Sequence, residues 1–150
     1  MKVEYFNCYT HFVFTTLDRQ PIVKEESREQ IEKYITGIIN NLDSQLYAIF
    51  ANPEHMHFIL SRSPNLSDEE LATIVADSSQ QFINNNKLTK SYFEWQQTCS
   101  AFSVSKGEVD KVCKYILNQA EHHRKITFQE ELKLFLKFYQ KPLRFEARRR

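Results

Sequence analysis

Along this chain the spacing of apolar residues switches between two periods, and the order of the switches limits which folds are open to it. Residues 3–16, VEYFNCYTHFVFTT, place Phe6, Cys8, Phe12 and Phe14 in one phase of a two-residue alternation, the mark of a strand. Asp18-Arg19-Gln20-Pro21 interrupts it, and over residues 24–43 Ile31, Ile35, Ile38, Ile39 and Leu42 recur at helical spacing. Two short apolar runs follow, QLYAIFA at 45–51 and EHMHFILSR at 54–62, and the Asn52-Pro53 between them predicts an antiparallel hairpin. Ser67 with Glu70 three residues later has the form of a capping box, ahead of Leu71, Ile74, Val75 and Phe82 in a second helix that runs to residue 85. Residues 91–104, SYFEWQQTCSAFSV, are aromatic and β-prone and predict a fourth strand or strand pair. Ser105-Lys106-Gly107-Glu108 is a second capping box, opening a helix through His123. Thr127-Phe128-Gln129-Glu130 is a third, opening a helix that carries Leu132, Phe135 and Tyr139. The order β-α-β-β-α-β followed by helices predicts an α+β fold: a ferredoxin-like, split β-α-β antiparallel sheet with helices on one face, plus C-terminal helices. No linker or repeat divides it, so a single domain over residues 1–150 is expected.

Composition narrows the chemistry. Gly37 and Gly107 are the only glycines and stand far apart, so neither a P-loop nor a dinucleotide fingerprint can be written. Cys8, Cys99 and Cys113 are odd in number and lack C-x-x-C spacing, which argues against a disulfide framework or a thiolate zinc site and fits a reducing cytosol. No apolar run reaches 18 residues, and no membrane segment or cleaved leader is expected; the protein is read as cytoplasmic. The formal charge is only +1, but it is unevenly spread: Lys141, Arg144, Arg148, Arg149 and Arg150 face a single acid, Glu146, in the last ten residues. Such a tail suits either phosphate binding or a solvated terminus.

Two of the five histidines stand in PEHMHFIL at 53–60. Residues two apart on a strand share a face, so His55 and His57 turn their imidazoles the same way while Met56 and Phe58 turn the other. That geometry can chelate a divalent metal, and equally it can be two polar residues on a solvated face. Further along, Val109, Val112, Cys113, Ile116 and Ala120 form an apolar stripe on a helical wheel, and Tyr115, Gln119 and His122 form a second stripe beside it. A phenol and an amide one turn apart would complete a site if that stripe met the histidine strand. Two imidazoles and the Gln119 carbonyl oxygen would hold the metal with positions to spare. Tyr115 would then be placed to attack a phosphodiester whose charge the metal offsets. His11 either turns toward the same face or is a hydrogen-bonded strand histidine.

Taken together, HFVFTTLDRQP at 11–21, PEHMHFIL at 53–60, the segment from Trp95 to Ser105 ending AFSVS, and VCKYILNQAEHHRKITFQEE at 112–131 resemble the HUH single-tyrosine transposases of small insertion sequences and their repeat-associated relatives. The resemblance implies a metal-dependent transposase that cuts and rejoins single-stranded DNA at hairpin-bearing ends through a 5′-phosphotyrosine. It assigns Tyr115 as nucleophile, His55, His57 and Gln119 as metal ligands, and Mg2+ or Mn2+ as the ion. It implies a homodimer in which the tyrosine helix of one subunit can complete the site of the other, acting in the cytoplasm at the nucleoid. Lys106, Lys111, Lys114, His122, His123 and Arg124, with Lys125, are the candidate DNA contacts; a solvated helix face is the alternative. Thr98-Cys99-Ser100 stands where relatives often carry Gly-Tyr-Gly, which leaves open a host-retained hairpin-binding protein with little or no cleavage.

Overall fold

Strand β3 (His55–Ser61) is buried on both faces along nearly its whole length, and the fold is arranged to cover it. In the computed structural model, which describes residues 1–122 and 125–137, β3 lies between β2 (Gln45–Ala51) and β1 (Tyr9–Thr15), and β4 (Ser100–Val104) closes the sheet in the order β2-β3-β1-β4. Every pairing is antiparallel. The chain forms two compact bodies, residues 1–117 and residues 118–150, and the sheet belongs entirely to the first.

Alternation divides the sheet's side chains between two cores. Phe12, Phe14, Met56, Phe58 and Leu60 enter one face, where they meet Ile31, Ile35 and Ile39 of α1 (Glu25–Asn41) and Leu71, Val75 and Ile83 of α2 (Asp68–Asn85). The rings interlock: Phe58 stacks on Phe12 at 5.1 Å and meets Phe14 edge-on, and Phe14 meets Trp95 at 5.4 Å. Phe82 lies flat on Tyr34, 3.9 Å between centroids, and so joins α2 to α1. On the opposite face Ala48, Ile59 and Val104 pack against Val109 and Ile116 of α3 (Val109–Leu117). The split β-α-β arrangement is therefore as the periodicity predicts, with α1 and α2 on one face and the C-terminal helix α3 on the other.

Local chemistry explains where the elements start and stop. At α2 the capping box is complete: the Glu70 N–H donates to Ser67 Oγ at 3.0 Å, and the Ser67 N–H donates to Glu70 Oε1 at 2.9 Å. The Asn52-Pro53-Glu54 turn is clamped from outside, because Thr16 donates from its backbone and its hydroxyl to the Glu54 carbonyl and the Val23 N–H donates to the Pro53 carbonyl. Asn84 and Phe93 exchange two hydrogen bonds, and the Trp95 indole donates to Ser79 Oγ at 2.9 Å, tying residues 93–95 to α2.

The structure departs from the sequence pattern at several points. Residues 3–8 are not a strand, and Phe6 and Cys8 are exposed. Both neighbours of β1 run out opposite Tyr9, at Ser61 and Val104, so earlier residues have no ladder to join. Residues 91–104 yield a bridge between Trp95 and Thr16 and then β4, separated by exposed residues 96–99. At Ser105 the capping box does not form: the side chain makes no cap bond, and a 3₁₀ turn, Lys106–Glu108, is closed by the Glu108 N–H on the Ser105 carbonyl. The helix expected through His123 stops at Leu117, and α4 (Gln119–His122) begins beyond Asn118. Asparagine is a poor helix-interior residue because its amide competes for backbone groups, and here the Asn118 carbonyl accepts from the His122 N–H at 3.0 Å. Ala120, placed in the apolar stripe, is exposed in consequence.

In the second body, residues 128–137 are helical behind a complete Thr127–Glu130 capping box. Tyr139 and the basic residues 141–150 lie outside the described residues. Among the described residues no helix is long and apolar enough to cross a membrane.

Phe58→Ala is expected to lower stability by about 3–5 kcal/mol, read from urea unfolding midpoints. Ser67→Ala should cost about 1 kcal/mol. The hydrogen bond from the Ser67 N–H holds the Glu70 carboxyl below its ordinary value. Its contribution is therefore present at neutral pH and is lost as the pH falls through that lowered value, so the stability gap between wild type and Glu70→Ala should narrow in acid.

Candidate functional site

Three histidines enter the face of the sheet that receives α3. Val13 pairs with His57 and Thr15 with His55, which fixes both imidazoles on the face that holds Ile59 and Ala48. His11, His55 and His57 are all 1 % exposed or less. A solvated pair is thereby excluded: the sequence pattern showed that the two side chains share a face but could not show that α3 covers it.

Buried imidazoles need hydrogen-bond partners. His55 Nδ1 contacts the Glu54 carboxylate, and its Nε2 lies 3.3 Å from the Asn52 amide nitrogen. His57 Nδ1 lies 2.9 Å from His11 Nε2. The His55 and His57 ring centroids are 5.0 Å apart and nearly perpendicular. Tyr115, carried on α3, sets its ring 5.7 Å from that of the same chain's own His57, edge to face. The apolar residues of α3 bring this about: Val109 and Ile116 are buried against Ile59 and Val104, and Tyr115, next to Ile116, is turned onto the histidine strand.

Gln119 does not share a helix with Tyr115. It belongs to the second body, where its amide nitrogen donates to Glu131 at 3.4 Å, and His122 Nε2 lies 3.1 Å from the same carboxylate. The one-turn spacing on a continuous helix is thus replaced by a break between the two residues. His122, half-buried, is held against an acid. Lys106, Lys111 and Lys114 are exposed and interspersed with Glu108 and Asp110. His123 and Arg124 lie outside the described residues.

Sequence reasoning missed Glu54, Asn52 and Glu131, and left His11 undecided. Asn52 and Glu54 read only as turn residues, and Glu131 read only as the acid after a capping glutamate. The neighbouring departure at Thr98–Ser100 falls at a different place. There a cleft of about 660 Å³ opens between α2 and residues 95–101, lined by Asp68, Glu69 and Asp77. Although Cys99 is exposed as a residue, desolvation of its sulfur against the cleft wall, with Asp68 and Glu69 nearby, pushes the thiol up, away from a reactive thiolate. That acidic cleft does not suit a phosphate backbone.

The site thus sets paired imidazoles on a central strand of an antiparallel split β-α-β sheet, with a tyrosine ring against one of them. A profile of the family described as "Transposase IS200 like" matches residues 4–119, and the chain belongs to that family. Two solved structures share the fold. A candidate transposase from Deinococcus radiodurans R1 is 17% identical with a TM-score of 0.62, covering 79% of this chain and 96% of its own. A REP-associated tyrosine transposase bound to a REP hairpin is 14% identical with a TM-score of 0.59, covering 84% of this chain and 75% of its own. No curated protein matches the sequence.

The donor chemistry fits a divalent ion, since each imidazole has its Nδ1 engaged and so can direct its Nε2 lone pair to the ion; at His55 the ion would take the place of the Asn52 amide now 3.3 Å from that nitrogen. Imidazole nitrogen suits transition ions better than magnesium, which asks for oxygen. Mn2+ should therefore raise the melting temperature more than Mg2+ at equal concentration. A hundredfold excess over Kd is expected to add about 2.7 kcal/mol of stability, and His57→Ala should abolish the shift in differential scanning fluorimetry.

Proposed function

We propose that this chain is a metal-dependent transesterase that cuts and rejoins single-stranded DNA at hairpin-bearing ends. The observation that carries the reading is the Tyr115 ring packed 5.7 Å from the buried His57, beside His55. Hairpin DNA as the partner is supported by the hairpin bound to the fold relative described above.

In this reading His55 and His57 hold the ion and Gln119 supplies a third ligand through its carbonyl oxygen. When bound, the ion polarises the non-bridging phosphate oxygens and offsets charge in the transition state. Tyr115 Oη attacks phosphorus in line and its proton passes to solvent or a nearby base. The bond from phosphorus to the 3′ oxygen breaks, and that oxygen takes up a proton to leave a free 3′-OH and a 5′-phosphotyrosine. The ester keeps the energy of the broken bond, so rejoining needs no nucleotide, in keeping with a chain that has no glycine-rich phosphate loop. The exposed Lys106, Lys111 and Lys114 would contact the DNA backbone, and the work would be done at the nucleoid. A homodimer with exchanged tyrosine helices is a second arrangement of the same chemistry.

Incubating the protein with a hairpin-bearing DNA strand and Mn2+ should give an SDS-stable protein–DNA adduct. Tyr115→Phe is expected to form none, and His57→Ala to slow its formation at least about a hundredfold. Adduct from Tyr115→Phe would refute the nucleophile assignment. Hairpin binding unchanged by EDTA, with no adduct, would instead make the chain a host-retained hairpin-binding protein.

A further inference from the structure

We propose that His11 is a positioning residue for His57: it accepts the Nδ1 proton of His57 and so turns the Nε2 lone pair of that ring toward the ion. The proposal rests on the reading that His55 and His57 hold a divalent metal.

The two rings face each other on adjacent strands. His11 is in β1 and His57 in β3, offset by one pair in the register, with Val13 opposite His57 and Ile59 opposite His11. Their centroids are 5.1 Å apart, and His11 Nε2 to His57 Nδ1 is 2.9 Å, a hydrogen bond between two fully buried imidazoles. One proton lies between those two nitrogens. If His11 donated it, a neutral His57 would carry its own proton on Nε2 and lose that atom as a ligand. For Nε2 to bind, the proton must be on His57 Nδ1. His11 then accepts through Nε2 and keeps its own proton on Nδ1.

His55 follows the same rule with a different acceptor. Its Nδ1 contacts the Glu54 carboxylate, so both imidazoles have Nδ1 engaged, and its Nε2, 3.3 Å from the Asn52 amide nitrogen, would exchange that contact for the ion. Ligating histidines are generally held this way by a partner on the other nitrogen, and loss of such a partner weakens metal binding about ten- to a hundredfold. The Phe102 ring, 6.2 Å from His11 and edge-on to it, supports His11 from the β4 side and limits its rotation.

The test uses the full chain without DNA. Mn2+ is titrated calorimetrically into wild type, His11→Gln, His11→Leu and His57→Ala, and long-range 1H–15N spectra of the metal-free wild type read the His57 tautomer. Gln can place an acceptor oxygen near the His11 Nε2 position, whereas Leu cannot. The expected result is a His57 proton on Nδ1, a loss of affinity of about ten- to a hundredfold in His11→Leu, and affinity within about threefold of wild type in His11→Gln. A His57 proton on Nε2 overturns the proposal. So does wild-type affinity in His11→Leu where His57→Ala has lost binding, and so does an equal loss in both His11 variants, which would mean packing alone. Wild-type affinity in His57→Ala would bring down the metal reading itself, a result distinct from the others. If His11→Leu does not fold, the spectrum and His11→Gln still decide.

Discussion

The structure depends on a strand that must be buried on both sides. In β3 the alternation sends Met56, Phe58 and Leu60 to one core and His55, His57 and Ile59 to the other. The first set is apolar, and two amphipathic helices suffice to cover it. The second set mixes apolar and polar groups, so its cover has to exclude water while the imidazoles find hydrogen bonds within the protein. Helix α3 provides the cover through Val109 and Ile116, and Glu54, Asn52 and His11 provide the partners. Burial strengthens each of these polar contacts, because the alternative is an unsatisfied group in a low dielectric.

The two cores therefore do different work. The aromatic cluster of Phe12, Phe14, Phe58 and Trp95 fixes the sheet to α1 and α2 and sets the position of β3. The smaller cluster on the other face holds Tyr115 against that strand. A site assembled in this manner needs few residues of its own, since the backbone register already fixes the direction of each ring.

Much of this was legible in the sequence. The order of elements followed from the two periods, and the α2 capping box was readable from Ser67 and Glu70 because such a box is wholly local. The pairing of His55 and His57 on one face needed only the geometry of a strand. What could not be read was set by partners distant in the chain. Phe6 and Cys8 fit a strand pattern but lack a neighbour to pair with. Ser105 and Glu108 have the letters of a capping box, yet the backbone closes a 3₁₀ turn there. The helix wheel that joined Tyr115 to Gln119 assumed continuity past Asn118, a residue whose side chain is a known competitor for helical hydrogen bonds. His11 acquires meaning only once the strands are aligned, and no spacing in the sequence reveals that alignment, whereas Glu54 and Asn52 meet His55 from one and three residues away and were read only as turn residues.

The clamped turn at Asn52–Glu54 has an evolutionary corollary. Hairpin turns on protein surfaces commonly gain and lose residues without harm. This one is bonded from outside by Thr16 and Val23 and leads directly into His55. An inserted residue that shifted β3 by one place would invert the strand, sending methionine and phenylalanine into the polar chamber and imidazoles into the aromatic core. Drift in length is thus closed to this loop, and descendants of the chain can vary its letters far more easily than their number.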